Sequence, residues 1–121
     1  MLLVLSEEFF QNREAVQAFR AAVLANPFPQ RAEGFARQAA ASGRHETRDR
    51  LGELQMPVHV IGAAHDRLVP VWKSEELARL MPGSKLTILD GAPHGVNWER
   101  AEDFNHAVLS FLAATPSEAL R

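Results

Sequence analysis

At 121 residues, with 46% hydrophobic and 23% charged side chains, the chain has the composition of one small globular domain or a piece of a larger one. A formal charge of −2 leaves no basic surplus to neutralise phosphates, so nucleic acid is not an expected partner. The absence of cysteine removes disulfides, thiolate catalysis and zinc–thiolate sites together.

The opening MLLVLSEEFF is apolar, but it has no basic flank and turns acidic by Glu7, so it does not read as a signal peptide. No apolar run approaches membrane-spanning length, and a soluble cytoplasmic protein is the expectation. Met1–Leu5 is at best a short strand. Ser6 then caps a helix entered by Glu7 and Glu8, where carboxylates suit the positive end of the dipole. Ala15, Phe19, Ala22 and Val23 continue at helical spacing until NPFPQ (residues 26–30) stops the run. EGFARQAAA, from Glu33 to Ala41, is rich in helix formers and predicts a second helix. The polar stretch SGRHETRDRLGEL follows, with one short helical turn expected at its end.

From Met56 the periodicity changes. Val58–Ile61 is a β-branched run closed by Gly62, the pattern of a short buried strand followed by a loop. VWKSEELARLMPGS is helical, with Leu77, Leu80 and Met81 on one side, and the Pro82-Gly83 turn ends it. KLTILDG is a second strand, and Phe104, Val108, Phe111 and Leu112 mark the inner face of a last helix. Strand, helix, strand and helix in that order predict an α/β fold with parallel strands. Two strands with one weak candidate beside them read as the end of a larger sheet, because parallel sheets are covered on both faces. The chain divides accordingly into a helical segment, 1–53, and the sheet end, 54–121.

Two loops follow the carboxyl ends of these strands, where α/β sheets place their sites. One holds Asp66 in GAAHDRLVP and the other holds His94 in GAPHGVNWE. A carboxylate beside an imidazole accepts the Nδ1 proton, fixes the tautomer and leaves Nε2 free as a general base. Each residue also has a simpler use: Asp66 can close an Asx turn before Arg67-Leu68-Val69-Pro70, and a lone histidine in a Gly-Pro loop is commonly a surface residue.

MPVHVIGAAHDRLVP, together with ELARLMPGSKLTILDGAPHGVNWERAEDFNHAVLSFL, resembles the C-terminal half of an α/β-hydrolase. The preceding residues resemble the helical cap of enol-lactonase-like and arylesterase-like members. The resemblance implies that Asp66, in a loop bounded by Gly62 and Pro70, is the triad acid and that His94 is the triad base. Asp66 lies one residue further from Gly62 than the commonest family spacing. It also implies a nucleophile on a G-x-S-x-G elbow upstream, and none of Ser6, Ser42, Ser74, Ser84, Ser110 and Ser117 lies in that pattern.

The leading expectation is therefore the cap and catalytic C-terminal part of a serine-type hydrolase of small esters or lactones, its nucleophile supplied from outside these residues. The alternative is an inactive remnant stabilised by self-association, and the truncated sheet predicts a homo-oligomer, a homodimer first, in either case. Reaction type stays open, since a cofactor-free peroxidase or a dehalogenase of this superfamily keeps the same pair. Trp98, beside the histidine loop, is either a packing residue or a substrate contact, and Phe9, Phe10, Phe28 and Phe35 are either helix-packing residues or the lining of an acyl pocket. No cofactor is expected. His45, His59, His65 and His106 form no convincing metal set, and His59 is out of place as a polar residue within a buried strand.

Overall fold

The structure, a computed structural model, describes residues 3–116. At its centre are two parallel strands, β1 (His59–Ala63) and β2 (Lys85–Leu89), joined by a helix whose residues run Val71–Leu80. The register sets His59 against Lys85, Gly62 against Ile88 and Ala63 against Leu89. Lys85 N–H donates to Val58 C=O (2.8 Å) at one end, and Ala64 N–H donates to Leu89 C=O (3.0 Å) at the other. In a parallel ladder, alternate residues turn both backbone groups to the same side. Val58, Val60, Gly62 and Ala64 thus face β2, while His59, Ile61 and Ala63 turn theirs to the opposite edge.

Among the described residues six helices surround this pair: α1 (Glu7–Gln11), α2 (Arg13–Leu24), α3 (Ala32–Gly43), α4 (Val71–Leu80), α5 (Val96–Glu99) and α6 (Ala101–Ala114). A 3₁₀ segment, Arg48–Glu53, occupies the expected short turn. Ser6 caps α1 by accepting a hydrogen bond from Phe9 N–H (3.0 Å). The single helix expected after it is two, because Asn12 intervenes. Its N–H donates back to Phe9 C=O, and its side chain accepts from Ala15 N–H to cap α2. The last helix is found as expected, α6 carrying Phe104, Val108, Phe111 and Leu112, and the short α5 before it is set apart at Arg100, whose backbone leaves the helical region and whose guanidinium bonds Asp103 and the Asp90 carbonyl.

Helix α4 covers one face of the strands and α6 covers the other. Gly62 meets α4: a Cβ there would lie 2.7 Å from Ile88 Cδ1 and 2.8 Å from Ser74 Cβ. The glycine that the sequence pattern reads as the end of the strand is thus inside it, at the point where helix and strand approach too closely for a side chain. On the α6 face the His59 ring lies 4.9 Å from that of Phe111, and His59 Nε2 is 2.9 Å from Thr87 Oγ1. This resolves the odd polar residue in the strand: His59 is half-buried between β2 and α6. Burial first, and the Lys85 charge second, hold its pKa below the usual histidine value.

The buried core is small: Leu5, Val60, Ala63, Met81, Ala92 and Ala107. By contrast α3 has no buried residue, and Phe28 and Phe35 are 86% and 61% exposed. Their expected place in an acyl pocket or in helix packing is not found.

The short strand at Met1–Leu5 needs correction. Met1 and Leu2 lie outside the described residues, and residues 3–5 form a turn and bend. Val4 C=O accepts from Gly95 N–H (2.7 Å), so this segment meets the His94 loop end-on and adds nothing to the ladder. Among the described residues no helix is long and apolar enough to cross a membrane.

Candidate functional site

Both loops leave the same end of the strand pair and are tied together before either functional side chain is reached. Ala64 N–H reaches Leu89 C=O, and His65 N–H donates to Ala92 C=O (2.9 Å), which places the Asp66 loop against the His94 loop. Gly91 turns the second loop with φ +64°, a conformation that favours glycine, and Ala92 behind it is fully buried. Gly95 closes the loop under Val4, where a Cβ would stand 3.1 Å from the Val4 carbonyl oxygen.

Asp66 uses both carboxylate oxygens. Oδ1 accepts from Leu68 N–H (2.8 Å) and Val69 N–H (2.7 Å), and Oδ2 lies 2.8 Å from His94 Nδ1. The two uses open to Asp66 from sequence are therefore combined: the Asx turn holds the carboxylate, and its free oxygen meets the imidazole. Burial is the largest single influence on the carboxyl and raises its pKa. The Val69 N–H, the His94 ring, the Leu68 N–H and the His94 charge together outweigh it and hold the pKa below the usual aspartate value. The His94 side chain is 34% exposed against 10% for Asp66, so the acid is enclosed and the imidazole reaches the surface. Among the described residues, Nε2 of His94 has no hydrogen-bond partner.

Beside Asp66 runs an open groove with two lobes, both bordered by Leu5, Ser6, Glu8, Gly91 and Pro93, while His94, next in the chain to Pro93, lines neither lobe. One lobe, about 640 Å³, extends along Ala64, Asp66 and Arg67. The other, about 680 Å³, extends over Phe9, Phe19 and Trp98. Trp98 is thus on the groove wall, its ring 5.7 Å from that of Phe19, which in turn lies 5.9 Å from Phe9. Of the four phenylalanines singled out from sequence, Phe9 lines this groove, and Phe19 joins it unannounced.

Glu99 also escaped the sequence reading. Its Oε1 accepts from Ser6 N–H (2.9 Å) and its Oε2 from Ser6 Oγ–H, fixing the entry of α1 beside the histidine loop. The contact joins residues 93 apart, and no local pattern announces it. No three His, Asp or Glu side chains among the described residues converge as a metal site.

An acid and a histidine from successive strand ends, hydrogen-bonded beside a groove, define a candidate acid–base site on a parallel α/β scaffold. Comparison with known proteins carries the assignment further. No protein-family model matches the chain. A 2-hydroxy-6-oxononadienedioate/2-hydroxy-6-oxononatrienedioate hydrolase of Pseudomonas putida is 34% identical over 110 residues, which cover 89% of this chain and 36% of that protein. A hydrolase from Pseudomonas aeruginosa PA01 superposes with a TM-score of 0.79 at 30% identity, over 93% of this chain and 41% of that one. The enol-lactonase from Burkholderia xenovorans LB400 gives 0.79 at 25% identity, over 92% and 41%. The chain has the α/β-hydrolase fold in part, its C-terminal strand–helix–strand–helix end preceded by helices. It spans about a third of the length of the curated relatives it matches, which are hydrolases.

Proposed function

We propose that these residues are the acid–base part of a serine-type hydrolase of small esters or lactones, with 1–53 as its helical cap and 54–121 as part of its core. The observation that carries this reading is the Asp66–His94 hydrogen bond, whose acid lines the groove. Asp66 accepts a hydrogen bond from Nδ1–H and holds the ring so that Nε2 is left free. Nε2 takes the proton from an incoming serine hydroxyl as the oxygen attacks the acyl carbon, and returns it to the leaving alcohol as the tetrahedral intermediate collapses. Asp66, with Oδ1 fixed by two backbone N–H groups, stabilises the imidazolium that forms between these steps. The serine and the donors for the oxyanion come from residues outside this sequence, and Trp98 contacts the substrate.

A chimera tests this. The present chain replaces the matching 41% of the Pseudomonas aeruginosa hydrolase on which it superposes. The folded chimera is expected to hydrolyse 4-nitrophenyl acetate, and His94→Ala is expected to abolish that turnover. A folded chimera whose activity survives His94→Ala contradicts the proposal.

A second reading, self-association, is favoured by one feature of the sheet. The N–H groups of His59, Ile61 and Ala63 on the outer edge of β1 have no backbone acceptor among the described residues. Such an edge is a template for another strand. Either the nucleophile-bearing part of the enzyme or a second copy of this chain would cover it, and a cytoplasmic homodimer is the form expected of the isolated chain. Sedimentation at micromolar concentration separates them: a homodimer supports self-association, and a compact monomer rules it out.

A further inference from the structure

The groove beside Asp66 and His94 has an uneven distribution of charge. One lobe is lined by the apolar side chains of Leu5, Phe9, Phe19 and Trp98. Carboxylates line the groove as well: Glu7 and Glu8 from the first turn of α1, and Glu99. Two guanidinium groups border the groove, and each already has a carboxylate partner. Arg67 Nη1 is 3.8 Å from Glu7 Oε1, and Arg100 bonds Asp103 Oδ2 through Nε (2.8 Å) while Nη1 donates to the Asp90 carbonyl (3.0 Å). Glu8 has no cationic partner among the described residues. A carboxylate entering this groove would find no guanidinium without a carboxylate partner, only the His65 imidazole besides, and would approach Glu7 and Glu8 against their charge.

We infer that the groove selects uncharged, ring-bearing esters or lactones and rejects dicarboxylates, because aromatic side chains line it and its four carboxylates, Glu7, Glu8, Asp66 and Glu99, outnumber its two guanidinium groups. In this it departs from its dienedioate-hydrolase relatives, whose names specify substrates with two carboxylates. A flat apolar ring packs against the Trp98 indole, with Phe19 inclined at 63° beside it, and leaves no desolvated charge to compensate. The inference deepens the hydrolase proposal and rests on it for the word ester. The binding preference itself is separable from catalysis, because none of Glu7, Glu8, Phe19 and Trp98 belongs to the proton-transfer pair.

The test compares one ring in two charge states, dimethyl phthalate and the phthalate dianion. Binding to the intact chain is read from the indole N–H resonance of Trp98, identified by its loss in Trp98→Phe. Dimethyl phthalate is expected to shift that resonance saturably, and phthalate to bind at least about tenfold more weakly. Glu7→Gln combined with Glu8→Gln, two exposed changes that spare the fold, is expected to bring the two affinities to within about threefold. Phthalate binding as tightly as the diester, no shift with either compound, or a gap unchanged by the double substitution overturns the inference. His94→Ala separates the two proposals. If the hydrolase reading alone fails, that variant still prefers the diester; if this inference alone fails, the chimera described above is active while the preference is missing.

Discussion

Replacing Gly62 by alanine tests why a glycine stands in the strand that leads to Asp66. The added Cβ would lie 2.7 Å from Ile88 Cδ1 and 2.8 Å from both Cβ and Oγ of Ser74. Carbon atoms in contact settle near 3.5–4.0 Å, so each approach is short by roughly 1 Å. The Ile88 methyl is the far end of a side chain and can rotate away, but Ser74 Cβ is fixed to α4 and moves only with the helix. Overpacking of this kind costs about 1–3 kcal/mol, and a domain near 100 residues loses roughly 4–8 °C of melting temperature per kcal/mol. A fall of about 4–24 °C in thermal unfolding followed by circular dichroism is therefore expected. Ile88→Val in the same chain removes one of the three clashes and should recover part of the loss. Since α4 and β1 are joined through the Asp66 loop, Gly62→Ala should also raise hydrogen exchange at Leu68 and Val69 N–H, which bond the carboxylate. A melting temperature unchanged within about 1 °C would refute the close-packing argument.

Two further outcomes follow from the site. The Asp66 carboxyl has a lower pKa in the folded chain than in the unfolded one. It therefore contributes stability that is present above the unfolded value, near 3.8, and is lost as the pH falls through its lower folded value. Asp66→Asn should accordingly flatten the acid limb of urea midpoints measured from about pH 6 to pH 2, and an unchanged limb would contradict this. Glu99→Ala should leave the Ser6 N–H and hydroxyl without their acceptor and cost about 1 kcal/mol. Faster hydrogen exchange at Gly95 N–H, which binds Val4, is the local readout, and unaltered exchange there would show that Glu99 does not hold the segment.

How much of this was legible in the sequence depends on how local each signal is. The order of strands and helices from Val58 onward is written in β-branched runs and in apolar spacing, and the structure follows it with strands displaced by a residue or two. Gly62 misled the strand boundary because a glycine demanded by a neighbouring helix has the same appearance in sequence as one that ends a strand. Asn12 broke the first helix because its side chain caps as well as any serine, a competition that propensity does not rank. Asp66 and His94 were findable because each sits in a Gly- and Pro-marked loop after a strand. Glu99 and Phe19 were not. Glu99 acts on a residue far away in the chain, and Phe19 is indistinguishable in sequence from any other apolar position of α2. The resemblance extended to the fold, while the exposure of α3 depends on what packs against it and could not be read from its composition.

The proposed function requires Asp66 to fix the orientation of His94 with Nδ1 protonated and Nε2 free. Nitrogen-15 spectra of the imidazole, recorded in the intact chain at a pH where the ring is neutral, test it most directly. His94 is expected to be held as the Nδ1–H tautomer, and Asp66→Asn, whose amide donates where the carboxylate accepted, to shift it to Nε2–H. A His94 ring found as Nε2–H in the unsubstituted chain, or one indifferent to Asp66→Asn, would contradict it.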